Sequence, residues 1–196
     1  NDPNNVMIES AIRNYVNKPA GKLTKSDLDK VLRVDLYRKK PTSFTGLEKL
    51  TNLTSLNLAS GNLKSVAGLE NLTKLTDLSI ADNQLWSLAG LENLTNLTKL
   101  QVYGNSLTNV AELESLTNLK SLRLDYNKLT SIAGLENLTN LTSLNLRNNQ
   151  LASVSELEKL TNLTFLNLLQ NKLTKAQIAE LQKALPNCKI ESDPTK

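Results

Sequence analysis

Histidine is absent from this 196-residue chain, and cysteine occurs once, as Cys188. The first absence removes histidine acid–base chemistry, Ser-His-Asp triads and imidazole metal ligands together. The second leaves no intrachain disulfide and no thiolate zinc cluster. Aromatic residues are scarce: four Tyr, two Phe and one Trp. Apolar runs are too short to read as a membrane-spanning helix, and no signal peptide stands at the start. There is no Gly-rich phosphate loop, zinc pattern or nucleophile elbow. Catalysis would have to be assembled from Asp, Glu, Lys, Tyr and Ser, so the chain reads as a non-enzyme with no cofactor. Charge is nearly balanced, with 23 Lys+Arg against 19 Asp+Glu; the net of +4 leans weakly towards acidic partners. The length fits one domain of ordinary size. The first residue is Asn1 rather than Met, which points to a processed or trimmed chain.

Leucine and asparagine are what the chain has in excess, 42 and 25 residues respectively. The excess is periodic. At a step of 22, Leu53, Leu75, Leu97, Leu119, Leu141 and Leu163 begin six units, and Val31 begins a less regular seventh. Apolar residues fall at positions 1, 4, 6, 11, 14, 17 and 20 of each unit, as in Leu119, Leu122, Leu124, Leu129, Ile132, Leu135 and Leu138. Positions 4 to 6 alternate apolar and polar, the mark of a short strand with one buried face. So short a strand survives only by stacking on its neighbours into a parallel sheet, at about 4.8 Å per unit. The later leucines return along the other side, in 3₁₀ or turn structure. Strands stack more closely than return legs, so the coil curves with the sheet on its concave side. Asn83, Asn105, Asn127, Asn149 and Asn171 recur at position 9, in the bend after the strand. A buried amide there both donates to and accepts from backbone groups left unpaired by the bend. Lys39 and Gly61 replace it in the first two units, which predicts a looser bend near residues 37–45, helped by Pro41.

The segments "LTSLNLRNNQLASV" and "LKSLRLDYNKLTSI" resemble the leucine-rich repeat, LxxLxLxxNxL, over about residues 31–173. The unit length and "GLENLTNLTSL" are similar to the bacterial internalin-like class. That resemblance implies a right-handed α/β solenoid and a ladder of position-9 asparagines. It also implies a place on a bacterial surface or outside the cell, and protein partners.

A repeat stack must be covered at both ends. Residues 1–30 read as an N-terminal helical cap, 31–173 as the repeats and 174–196 as a C-terminal cap helix and tail. Val6, Ile8, Ile12, Tyr15 and Val16 recur at helical spacing within residues 5–17. Thr24 and Asp27 form a candidate capping box, and Thr174 with Gln177 forms another, before a helix reaching about Leu185. Ile178, Leu181 and Leu185 give that helix an apolar stripe, Ile190 suggests a last edge strand, and the polar tail ESDPTK reads as frayed. "AIRNYVNKPAGKLTKSDL" also looks like the N-terminal cap of bacterial surface leucine-rich proteins, and capping at both ends reads as a complete unit.

Several features have two readings. Glu48, Glu70, Glu92, Glu114, Glu136 and Glu158 recur at position 18: a cation stripe, or a solvated row. Like charges repel at that spacing and hard cations want mixed oxygen donors, so the solvated row is favoured and no metal site is assigned. Seven N-L-T sequons, at Asn52, Asn71, Asn93, Asn96, Asn137, Asn140 and Asn162, are glycan acceptors or simply repeat text. Cys188 is a thiol activated by Lys189 or a small residue under the cap. Trp86, just past a bend, is an exposed anchor or edge packing.

Return legs are nearly copied from unit to unit; positions 3, 5, 7 and 8 of the strand region are not. Four of the seven aromatic residues stand in this set: Tyr37, Tyr103, Tyr126 and Phe165. Tyr and Arg are the residues of interface hot spots, since they bury large area and keep polar reach. The candidate ligand-binding residues are therefore Tyr37, Asp77, Lys99, Gln101, Tyr103, Arg123, Asp125, Tyr126, Asn145, Arg147, Phe165 and Leu169. Seven strands span roughly 30 Å, a size suited to a protein patch or extended peptide. The competing account is drift at unconstrained positions. A polyanion binder would need a uniformly basic groove, whereas Asp35, Asp77, Asp82 and Asp125 interrupt this one. Near-identical return legs also suit a scaffold without a dedicated ligand. The sequence thus points to a monomeric recognition module for a protein or peptide, with no nucleic-acid partner and no membrane insertion.

Overall fold

A computed structural model describes residues 3–195; Asn1, Asp2 and Lys196, the outer ends of the two cap ranges, lie outside the described residues. Helix α1 (Pro3–Val16) and the short α2 (Lys25–Leu28) precede strand β1 (Arg33–Asp35). Strands β2 (Ser55–Asn57), β3 (Asp77–Ser79), β4 (Lys99–Gln101), β5 (Ser121–Arg123), β6 (Ser143–Asn145) and β7 (Phe165–Asn167) follow at the 22-residue step. Helix α3 (Lys175–Ala184) and strand β8 (Lys189–Glu191) complete the order. All eight strands lie in one parallel sheet in sequence order. Each crossover is one return leg, and parallel crossovers of this kind are right-handed, so the chain is a right-handed solenoid. The register is strict: Leu56 faces Leu78, Leu78 faces Leu100, and so on to Leu166 opposite Ile190.

Each unit closes around its own leucines. Leu122, Leu124, Leu129, Leu135 and Leu138 are fully buried, and their counterparts in the other units form one continuous core. Burying a leucine contributes roughly 1.5–3 kcal/mol, and no unit can bury its stripe without its neighbours. The return legs carry 3₁₀ turns at Leu47–Lys49, Ala111–Leu113, Leu135–Asn137 and Ser155–Lys159, and single turns elsewhere.

Both capping boxes form. Thr24 Oγ1 accepts from the Asp27 N–H and Thr174 Oγ1 from the Gln177 N–H, each at 3.3 Å. The N-terminal cap packs with less of α1 than its spacing predicts. Ile8 and Ile12 are buried, but Val6 and Tyr15 are exposed, because the α1 stripe is wider than the end of the coil it covers. Arg13 ties the helix down by donating to Glu9 Oε1, Lys18 O and Gly21 O. At the other end, the expectation of a frayed tail is wrong as far as Thr195. Its N–H donates to Leu173 O at 2.8 Å, the bond that Lys172 N–H makes to Leu151 O one unit earlier, and the Gln170 N–H donates to Asp193 Oδ1 at 2.7 Å. The tail is held because it supplies the ladder partners of an eighth unit.

Candidate functional site

The bend after each strand decides how the concave residues are presented. Position 8 takes the left-handed backbone in all seven units: Arg38, Ser60, Asp82, Gly104, Tyr126, Asn148 and Gln170 have φ between 51° and 68°. That conformation costs a non-glycine residue roughly 1–2 kcal/mol, and the stack sustains it. In the five later units the asparagine ladder braces the same bend. Asn127 Oδ1 accepts from the Leu107 N–H at 3.1 Å, while Nδ2 donates to Val102 O and Leu124 O. Asn83, Asn105, Asn149 and Asn171 repeat the same pattern, each amide joining its own unit to the one before.

The candidate residues form two zones. In the C-terminal half, Arg123 donates to both carboxylate oxygens of Asp125, at 3.1 and 2.7 Å, and its guanidinium lies 4.1 Å from the centre of the Tyr103 ring. Asp125 is only 1% exposed, so it presents Arg123 rather than an open carboxylate. Hydrogen bonding from Asp125 pushes the Arg123 pKa above its ordinary value, with burial opposing. Next to this pair, Arg147 lies 5.9 Å from the Tyr126 ring centre and donates to Gln170 Oε1 at 2.9 Å. Tyr126 is 47% exposed. Phe165 and Leu169 are half-buried at the far side, where Lys189 of β8 stands 5.8 Å from the Phe165 ring. Asn145 Oδ1 is spent on the Arg147 N–H at 3.1 Å, as the carboxylate of Asp35 and the amides of Asn57 and Asn167 are spent on N–H groups two residues on.

The N-terminal half is a hollow. Ala59, Ala81 and Ser79 are small and buried, and a cavity of about 400 Å³ opens above Ala59 and Ser79, flanked by Tyr37 and Tyr103. Asp77 and Lys99 face each other there at 3.6 Å, with Gln101 beside them. Spacing alone treats every position-7 side chain as open to solvent. The buried Ala59, Ala81 and Asp125 show that this position instead packs against the bend whenever the side chain is short enough.

The other sequence features have structural roles. The Gly46, Gly68, Gly90 and Gly134 N–H groups donate to Glu48, Glu70, Glu92 and Glu136, two residues on, so those carboxylates cap their own return legs. Among the described residues, no cluster of His, Cys, Asp and Glu is arranged to hold a metal ion. Asn96, Asn140 and Asn162 of the sequons donate to carbonyls of the preceding unit, and Asn52 to Asp29 O of the N-terminal cap, at 2.8–2.9 Å. Thr54, Thr76, Thr98, Thr142 and Thr164 make a further row, each hydroxyl donating one unit back at 3.0–3.1 Å. These two ladders were hidden in the recurring NLT text, whose invariance was the signal. Cys188 is buried, and burial pushes its thiol pKa up, so activation by Lys189 is overturned. Trp86 is 69% exposed, outside the concave set. Among the described residues, no helix is long and apolar enough to cross a membrane.

Comparison with known proteins agrees with this geometry. The family model described as Leucine Rich repeats (2 copies) matches residues 95–138 and 139–183. The crystal structure of internalin C2 from Listeria monocytogenes superposes with a TM-score of 0.89 at 28% identity, covering 99% of this chain and 89% of that one. An internalin (inlF) from the same species gives 0.74 at 26% identity, covering 99% of this chain and 66% of that one. A leucine-rich repeat protein of Leptospira interrogans gives 0.73 at 32% identity over 78% of this chain and 40% of its own. No curated protein sequence matches.

Proposed function

We infer that this chain, a leucine-rich repeat protein with 22-residue units similar to the bacterial internalin-like class, is a non-catalytic module that recognises a protein or peptide on its concave face. One observation carries this reading: the Asp125–Arg123–Tyr103 stack stands beside Arg147 and Tyr126, so two arginines and two tyrosines are set in place on adjacent strands. Side chains ordered before contact lose less entropy on binding, and Tyr and Arg supply most of the energy at interfaces. The face is open and shallow, which suits a protein patch better than an enclosed small molecule. The likeness to internalins supports a place outside the bacterial cell, secreted or on its surface.

The test is a quantitative pull-down from the source culture and its surroundings, with the wild type and the variant Y103A/Y126A/R147A. The expected result is a partner that the wild type retains and the variant releases, with the melting temperature nearly unchanged. Equal retention by both would remove the concave face from the binding reaction.

A further inference from the structure

The charge of this protein is unevenly placed. Residues 3–46 hold nine of the 23 Lys+Arg and four of the 19 Asp+Glu, a net of +5, so all other residues together carry −1. Three of those acids are already used, in the pairs Glu9–Arg13, Asp27–Lys18 and Asp29–Lys25. The fourth, Asp35, accepts from the Tyr37 N–H. Arg38, Lys39 and Lys40 are consecutive and exposed, and no ion pair to any of them forms among the described residues. Consecutive Cα atoms are about 3.8 Å apart, well inside the screening length of about 8 Å at physiological salt. The three side chains thus leave one short exposed segment and give it a charge of +3.

Two further observations say that this cluster is more than a solvated bend. Arg38 and Lys40 both hold left-handed backbone, φ 59° and 53°, where Gly104 shows that glycine is accepted at the position matching Arg38. At the position matching Arg38, a cation thus stands where glycine would be unstrained. Apolar surface also adjoins them. Lys39 lines a groove of about 400 Å³ with Val6, Met7 and Ala11 of α1, and Val6 is 55% exposed; Tyr37, 44% exposed, lies under the Arg38 guanidinium at 5.0 Å.

We propose that this end of the solenoid docks an acidic protein segment that carries apolar side chains between its carboxylates. The proposal goes beyond the recognition reading: it assigns a second contact, away from the Tyr103, Tyr126 and Arg147 platform, and names the chemistry of what docks there. A sulfated glycan or a nucleic-acid backbone would leave Val6 and Met7 unused. Continued along the sheet, it would also meet Asp77 and Asp82 two strands on. A short acidic segment ends before it reaches them.

The probe is a fluorescent peptide alternating Glu with Leu, titrated at about 0.15 M salt. The wild type binds it saturably. R38S/K39S/K40S weakens it at least about tenfold; at the Arg38 position serine is tolerated, since Ser60 takes the same backbone one unit on. K128S/K159S/K172S, which removes the same charge elsewhere, stays within about twofold, and so does Y103A/Y126A/R147A. Circular dichroism melts confirm that each variant is folded. Absence of saturable binding, or equal weakening by the two serine variants, overturns the proposal. Tighter binding of heparin or of phosphatidylglycerol vesicles through the same cluster also overturns it, in favour of a polyanion or membrane surface. Loss in the concave variant moves the peptide to the concave face; the end-site proposal then fails while the recognition reading stands.

Discussion

Between the units beginning at Val31 and Leu53 the bend contains no asparagine, whereas between each later pair of repeats up to Leu163 one amide closes it, buried in every case but the half-buried Asn171. The chemical difference is a single N–H. In the later units the position-11 leucine donates to the next asparagine; in the first unit that position is Pro41, which has no N–H to offer. Gly61 accordingly stands where the amide would be, and the side chain of Asn83 fills the space, its Oδ1 only 2.6 Å from where a Gly61 Cβ would lie. The expected loose bend is present: Lys40 adds a second left-handed residue, and a hollow of about 740 Å³ opens between residues 41–45 and 62–68. The two regions also differ on the concave side. Small buried residues leave a hollow in the first half, while paired arginines and tyrosines build a platform in the second.

The largest effect separating the regions comes from the ladder. Asn127→Ala strands the buried Leu107 N–H and two or three carbonyls, and each orphaned group costs about 1–3 kcal/mol. A loss of about 3–5 kcal/mol in urea unfolding is expected, against almost none for Lys39→Ala at the matching position. Arg123→Ala comes next. It leaves the buried Asp125 carboxylate without its guanidinium and should cost about 2 kcal/mol, less than a fully buried pair because Arg123 is itself half-exposed. Gly61→Ala should cost about 1–2 kcal/mol, since the neighbour it crowds is a locked amide rather than a mobile chain end. An equal cost for Gly21→Ala, which has open space and strain alone, would show that crowding is not the cause.

The smallest effect distinguishes the two caps by pH. Lys18, with the Thr24 N–H and hydroxyl, holds the Asp27 carboxyl well below the usual carboxylate range. A depressed folded pKa gives stability that is present above the unfolded value of about 3.9 and lost as the pH falls towards the folded one. The C-terminal box uses Gln177, which does not titrate. Hydrogen exchange should therefore quicken in α2 before α3 as the pH drops below about 4, and Asp27→Asn should remove that difference. Parallel acid profiles for the two caps would contradict the assignment.

Much of this was legible in one dimension. The 22-residue step placed the strand centres, the core leucines and the five asparagines, because each answers to its own unit's periodicity. Both capping boxes were readable for the same reason: donor and acceptor sit three residues apart. The candidate face was readable as a set of positions but not as a surface. Nothing local says that Asp125 is buried while Tyr126 beside it is exposed, or that Asn145 spends its oxygen on Arg147. The threonine and sequon-asparagine ladders are recorded only in the invariance of the NLT text, which plain copying of the repeat or glycan acceptors would explain equally well.

By itself, then, the sequence determined the coil: a repeated apolar pattern has one way to hide its leucines, and that is to stack. Only the tertiary structure decided which polar groups remain free at the surface. That depends on which donors and acceptors the neighbouring units have already taken, and on whether a side chain is short enough to fold into the bend.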